Sequence, residues 1–490
     1  MMRSLYSGVS GLKVHQTKMD VIGNNIANVN TVGFKSSQVN FSDILYQTTS
    51  NASGPNAEAH TAGINAKQIG LGSSVASVST TVTVAGGSQR TDNALDIMIE
   101  GDQFFVVNDG TQNYFTKAGA FTIDASGLLC NSGGCKVMGW QVDPKNPDKC
   151  VQNTVSELRV RSDENMHVPP EATTDVNFTG NIDYKDVQLQ DDGSGKKTTM
   201  SFYDNLGQSY MAVLRLIKPD EAESDGDFLV QVTDVLDSNG KSIFVTESEN
   251  DGEGQKITYA RNDKVASVTF GEATFDFGEV NEETGELTLP EKTEGVPIKF
   301  NTSTGKFISV GSGDEEGANF VTFKIDAGDD SAFTEIKCDF SAMTMYASSG
   351  SSTFAAQRGS LNDGYGAGKP KGNMTGIAVD SSGRIYGSYD NGDKKLLCQM
   401  AVASFANPAG LEAAGNSLFM ATMNSGEFNG IGEDISIAGG KMTTGVLEMS
   451  NVDLSTEFTS IITTQRGFQA NSRVITTSDT LLEELINLKR

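Results

Sequence analysis

Two amphipathic stretches at opposite ends of the 490-residue chain constrain its fold more than anything between them. In the first 30 residues, Leu5, Leu12, Met19 and Ile26 recur at every seventh position. Val9, Gln16 and Gly23 hold the alternating heptad site, with Ile22 beside them. In the last 40, Leu454, Ile461, Phe468, Ile475 and Leu482 repeat at the same interval, with Phe458, Gln465, Ser472, Asp479 and Ile486 between them. Each stretch predicts a helix with a narrow apolar stripe. The other faces are rich in Ser, Thr, Asn, Gly and Ala, which let neighbouring helices approach closely. A single stripe ordinarily marks a helix packed on its own core. Here the stripes offer little apolar area against the backbone entropy of ordering both segments. The helices are therefore expected to pair only weakly within one chain and to become ordered as other copies pack around them.

Between the ends the period changes from helical to β. Runs such as Asp96-Ile97-Met98-Ile99-Glu100-Gly101 and Phe104-Phe105-Val106-Val107-Asn108-Asp109-Gly110 read as short strands closed by turns, and 53 glycines against 10 prolines fit many tight turns. Residues 48–71, around Asn51-Ala52-Ser53-Gly54-Pro55-Asn56, are polar and aperiodic and read as a linker; residues 347–352 read as a second polar joint. Acidic clusters such as Glu247-Ser248-Glu249-Asn250-Asp251-Gly252-Glu253 concentrate in residues 161–340, while Phe228-Leu229-Val230-Gln231-Val232 supplies that segment with a core strand. The fold class is thus mainly β with α-helical termini, the terminal helices forming a coiled-coil layer and nested β domains inserted between them. In numbers, a terminal helical domain takes 1–47 and 441–490, a linker 48–71, a β domain 72–160 and 341–440, and an inserted outer acidic β domain 161–340.

Charge and chemistry remove several function classes. Lys+Arg of 37 against Asp+Glu of 63 leaves a net charge of −26, which repels nucleic acid and anionic membranes. No apolar run is long enough for membrane insertion, and the N-terminus lacks the pattern of a cleaved signal peptide. The five cysteines, Cys130, Cys135, Cys150, Cys338 and Cys398, are too few and too scattered to organise the fold; Cys130 and Cys135 flank a turn and are read either as a local disulfide or as free thiols. His15, His60 and His167 share no ligand spacing and read as solvent-facing. Gly364-Tyr365-Gly366-Ala367-Gly368-Lys369-Pro370 has Asp363 in place of the first glycine of a phosphate loop and Pro370 in place of its hydroxyl residue. Asp326, Asp329 and Asp330 lack the glycine and distal glutamate of a calcium loop. No catalytic residue, cofactor or metal is expected, and the chain reads as a non-enzyme.

Gly23-Asn24-Asn25-Ile26-Ala27-Asn28-Val29-Asn30-Thr31-Val32-Gly33-Phe34-Lys35 resembles the N-terminal signature of the flagellar axial proteins of rod and hook. Ser450-Asn451-Val452-Asp453-Leu454-Ser455-Thr456-Glu457-Phe458 and Thr464-Gln465-Arg466-Gly467-Phe468-Gln469-Ala470-Asn471-Ser472 are similar to the C-terminal partner signature. Ser201-Phe202-Tyr203-Asp204-Asn205-Leu206-Gly207 and Val402-Ala403-Ser404-Phe405-Ala406-Asn407-Pro408-Ala409-Gly410-Leu411 resemble segments of the hook branch. The resemblance spans residues 1–160 and 345–490, with patches between. The expected assembly interface takes Leu5, Val9, Leu12, Met19, Ile22, Ile26, Leu454, Phe458, Ile461, Gln465, Phe468, Ile475, Leu482 and Ile486 from the stripes, together with Asn28, Thr31, Gly33, Phe34 and Arg466 from the signatures.

The resemblance implies a structural subunit that self-assembles into a curved, flexible extracellular tube and transmits torque from rod to filament. Its implied partners are further copies of itself, rod, hook cap and hook–filament junction proteins, and the type III export apparatus. Alternatives are a distal rod or hook–filament junction protein, or a surface adhesion module. Some spirochete-type hook proteins carry a cysteine before Asn-Leu-Asp or Asn-Ile-Asp that cross-links to a neighbour's lysine. Phe178-Thr179-Gly180-Asn181-Ile182-Asp183 has Gly180 there, so that cross-link is not expected.

Overall fold

A computed structural model describes residues 2–488 except 56–61, 191–193, 221, 223, 250–256, 263, 266, 278–279, 282–286, 288–293, 312–317 and 329–330. His60, Asp329, Asp330 and residues 250–253 of the acidic cluster lie outside the described residues. Three α-helices are described: α1 (Met2–Ala27), the single-turn α2 (Asp163–Met166) and α3 (Leu454–Asn487). With strands filling most of the remainder, the chain is mainly β with helical termini that contact each other.

The helix ends follow local chemistry. At the end of α1 the Asn28 side chain donates to the Asn24 carbonyl at 2.9 Å, doubling the bond that the Asn28 backbone N–H makes to the same oxygen at 3.2 Å. α3 starts on Asp453, whose carboxylate accepts from Ser455 N at 2.9 Å and from Thr456 Oγ1 at 2.8 Å. Those bonds, the threonine hydroxyl first, hold the Asp453 carboxyl below its usual range.

Two compact units are resolved by the contacts. The first comprises residues 1–166, 374–388 and 394–490. Directly after α1, strand Ser37–Asp43 pairs antiparallel with Ser73–Thr80, and within the expected linker Tyr46–Ser50 pairs with Lys67–Gly70, an exposed ribbon. The unit's main sheet runs Lys394–Met400, Lys136–Asp143, Phe104–Asn108, Asn113–Thr116, Leu418–Met420. Alternation along Phe104–Asn108 explains its unbroken apolar run. Phe105 and Val107 face one cluster with Ile97, Ile99 and Phe121, while Phe104 and Val106 face another with Phe115 and Phe419.

The second unit takes residues 167–373 and 389–393. One of its sheets runs Asp175–Asn181 parallel to Ile336–Thr344 and antiparallel to Ala355–Arg358, so this unit extends past residue 340. The other orders Lys196–Tyr203, Ser209–Ile217, Asp227–Leu236, Val296–Phe300 and Phe307–Val310. One apolar core joins both sheets, with Phe178 stacked on Phe340 at 4.3 Å and Leu214, Val230 and Ile298 from the facing sheet.

Three local readings meet the structure, and the first of them changes. The serine stretch read as a joint is pinned: Ser348 N and Gly350 N donate to Asp183 at 2.7 and 2.8 Å, Ser352 N donates to Asp186 at 2.8 Å, and Ser352 is buried. The carboxylates supply acceptors that the turn's own backbone lacks. Cys130 opposes Lys136 across its hairpin instead of Cys135, and all five thiols are free. Gly180 has φ +138°, and a Cβ there would lie 2.2 Å from the Thr353 carbonyl oxygen, so the position admits no side chain without moving the backbone.

Candidate assembly interface

α1 and α3 run antiparallel, and the residues meeting between them are small or polar. Ser4 Oγ lies 3.4 Å from Ser478 Oγ. An added Cβ at Gly8 would sit 3.1 Å from Ile475 Cγ1, at Gly11 2.7 Å from Asn471 Nδ2, and at Gly467 2.7 Å from the His15 ring. Asn25 Nδ2 donates to Glu457 Oε1 at 2.9 Å. Each step forward on α1 is matched by an equal step back on α3, as in a continuous antiparallel pair. Glycine and serine allow this approach because no side chain separates the backbones.

His15 is half-buried in this seam, which corrects its reading as solvent-facing. Its ring meets Phe41 edge-on at 5.9 Å, and Nδ1 is buried without a hydrogen-bond partner among the described residues. Burial, then the Lys18 charge, lowers its pKa. His167 is exposed and its Nδ1 lies 3.0 Å from Asn373 Oδ1. Lys369 of the glycine-rich loop pairs with Asp393.

The two end signatures fold onto one another. Asn25 Nδ2 also donates to the Ser37 carbonyl at 2.9 Å while its Oδ1 accepts from Ser37 N at 3.0 Å, fixing the exit from α1. Gly33 adopts φ +67°, where an added Cβ would lie 2.6 Å from Ala118 N, and its own N–H donates to the Glu448 carbonyl at 2.8 Å. Lys35 Nζ donates to Glu448 Oε1 at 2.7 Å and to the Val84 carbonyl at 2.7 Å, with both charged side chains 1% exposed. Asn451 closes the joint: its Oδ1 accepts from Ser36 N at 2.7 Å, and its Nδ2 donates to the Thr81 carbonyl at 2.9 Å.

A second buried lysine borders this pair. Lys117 Nζ donates to the Gly101 carbonyl at 2.6 Å and lies 5.1 Å over the Phe104 ring. Burial brings its pKa down to about 8; the Glu448 charge opposes that shift and Lys35 adds to it.

The structure sorts the expected interface residues into layers. Ile22 and Gly33 are buried; Leu5, Leu12, Met19, Ile26, Asn28, Phe34, Ile461, Phe468, Ile475 and Leu482 are half-buried. Val9, Thr31, Leu454, Phe458, Gln465, Arg466 and Ile486 face solvent. The innermost positions were not among those expected: Gly8, Gly11, Val14 and Asn25 on α1, Thr464 and Ser478 on α3, and the Lys35–Glu448 pair. Thr464, Asn471 and Ser478 share one heptad position, a periodic signal present in the sequence but polar.

Among the described residues no helix is long and apolar enough to cross a membrane. A pair of antiparallel terminal helices on nested β units, locked by both end signatures, defines an axial subunit of the flagellar rod-and-hook class, and three family models agree. Residues 5–35 match the flagella basal body rod protein, 443–488 the flagellar basal body rod FlgEFG protein C-terminal, and 98–194 the flagellar hook protein FlgE/F/G D1 domain. The chain is 36% identical over 504 residues to flagellar hook protein FlgE of Borreliella burgdorferi and 35% over 509 residues to that of Treponema pallidum, covering 100% of each chain in both cases. The FlgE of Salmonella typhimurium is 26% identical over 500 residues, spanning 99% of this chain and 100% of that one. A crystal structure of Helicobacter pylori flagellar hook protein FlgE2 is similar at 13% identity, with a TM-score of 0.34 over 74% of this chain and 100% of that chain, too distant to bear on the fold. The chain belongs to the flagellar hook protein family. It is a structural, non-enzymatic subunit of the hook and part of the flagellum.

Proposed function

We propose that copies of this chain polymerise into a short, curved, extracellular tube that joins rod to filament and bends while transmitting torque. One observation carries this reading. Within the chain the helices meet through glycine, serine and asparagine, whereas Tyr6 (68%), Val9 (56%), Phe458 (52%), Ile462 (56%), Leu485 (50%) and Ile486 (66%) remain exposed. Burying six such side chains against neighbours contributes about 9–18 kcal/mol before association entropy, at ~1.5–3 kcal/mol each.

In this reading the terminal helical domain, 1–47 with 441–490, forms the inner layer. The acidic inserted unit, residues 167–373 with 389–393, presents hydrated surfaces that slide against neighbouring copies as the tube bends. Rod proteins, a hook cap and hook–filament junction proteins are its neighbours, and the flagellar type III apparatus exports it. The expected stripe residues act as the assembly interface.

Electron microscopy of concentrated full-length protein tests this. Wild type is expected to form curved tubes, and Val9→Asp/Phe458→Asp to stay monomeric with unchanged circular dichroism. Tubes from the variant would refute the role of the helix rows. Straight rigid tubes from wild type would favour a distal rod subunit, and persistent monomers an adhesion module.

A further inference from the structure

The charges on α3 are segregated along its length. From Phe458 to Ser478 the helix carries Arg466 and Arg473 and no acid; from Asp479 to Glu484 it carries Asp479, Glu483 and Glu484 and no base. All five side chains are exposed. Neither set serves the helix itself. Arg466 has Ile462, Thr463, Gln469 and Ala470 at its i±3 and i±4 positions, and Arg473 has Gln469, Ala470, Thr476 and Thr477, so neither has an intrahelical acid. The acids near the C-terminus sit where the helix dipole disfavours negative charge, and the last turn holds no basic residue to offset them. No ion pair among the described residues includes any of the five. Arg3 of α1, which the Ser4–Ser478 contact sets level with Asp479, forms no ion pair with them among the described residues either.

Two complementary charge sets, each without a partner on its own helix, fit a contact between copies. We propose that the acidic end of α3 in one copy docks on the Arg466–Arg473 face of α3 in the next, the occupant of that face being a second copy of this chain. The centres of the two sets lie about 12 residues apart, which displaces neighbouring helices by about 18 Å along their axis. The contact is head-to-tail and carries an axial displacement, so it propagates as an open helix instead of closing into a ring. It rests on the polymer reading above and adds to it the element that sets axial register, since apolar rows alone allow the helices to slide. Charge pairing also suppresses wrong registers, because like charges meet whenever the offset is lost.

Two full-length variants test it: Arg466→Glu/Arg473→Glu, and Asp479→Lys/Glu483→Lys/Glu484→Lys. The lysine variant places cations where the helix dipole favours them, so α3 stays folded. Each variant alone is expected to polymerise about tenfold or more slowly than wild type in low salt, measured by light scattering. An equimolar mixture is expected to recover growth, because each variant then finds its complement on the other. Growth of either variant at the wild-type rate, or an inert mixture of folded chains, overturns the inference while leaving the tube reading intact. Failure of wild type to polymerise sinks the tube reading and the inference with it.

Discussion

Glu448→Gln tests how the two ends of the chain are held together. The substitution preserves shape and removes one charge from a pair in which both side chains are 1% exposed and 2.7 Å apart. Gly86 N, which donates to the same oxygen at 3.0 Å, keeps an acceptor, so the loss is mainly electrostatic. What remains is the buried ammonium of Lys35, with Lys117 close enough to feel it and only the weaker charge of Asp102 still opposing the shift of Lys117. Breaking a buried pair from one side costs about 3–5 kcal/mol. At ~2–4 °C per kcal/mol for a unit of this size, the melting temperature of the first unit falls by about 6–20 °C. The pH dependence gives a second readout. Lys117 titrates at about 8 in the fold against 10.5 for the free side chain, so the folded state gains relative stability as pH rises from 8 towards 10.5. Without Glu448 that window opens lower, and the deficit of the variant should be smaller at pH 9 than at pH 7. Lys35→Met/Glu448→Gln should recover part of the loss, since it removes the unopposed Lys35 charge while keeping the acceptor for Gly86 N. Calorimetry and urea melts measure all three. A loss below about 1 kcal/mol for Glu448→Gln, the scale of an exposed ion pair, refutes the reasoning.

Gly33→Ala should destabilise the same joint, by about 1–3 kcal/mol from the left-handed φ alone, with overlap against Ala118 N added to it; an unchanged urea midpoint would show the turn to be unstrained. His15, packed against Lys18, Phe41 and Gly467, favours its neutral form, so its contribution is complete above about pH 6.5 and is lost as pH falls through that value towards its lowered pKa. Wild type should therefore lose more stability between pH 7.5 and 5.5 than His15→Gln, read as the difference in urea midpoints; equal losses would place the sensitivity elsewhere.

The sequence exposed the elements better than their faces. Heptad recurrence of Leu5, Leu12, Met19 and Ile26 was enough to draw α1, and the run from Phe104 to Val107 enough to draw a strand buried on both sides. The stripe did not reveal which side of α1 meets α3. Two long helices approach most closely where side chains are smallest, so Gly8, Gly11, Gly467 and Ser478 form the seam while Val9 and Phe458 stay outside. Apolar periodicity tracks burial, and in a chain built to pack against copies of itself, part of that burial lies beyond the single molecule. Lys35 and Glu448 were invisible as a pair for another reason: 413 positions separate them, and charge patterns carry no information about distance in space.

That separation has a kinetic consequence. Asn25 finds Ser37, and Lys35 finds the Val84 carbonyl, within the first hundred residues, but the seam with α3 and the Lys35–Glu448 pair must wait for the C-terminal segment. Loop-closure entropy rises only slowly with length, but the closing residues must exist before the loop can form. Until then only the side of α1 that meets α3 stays uncovered. That side is made first and covered last.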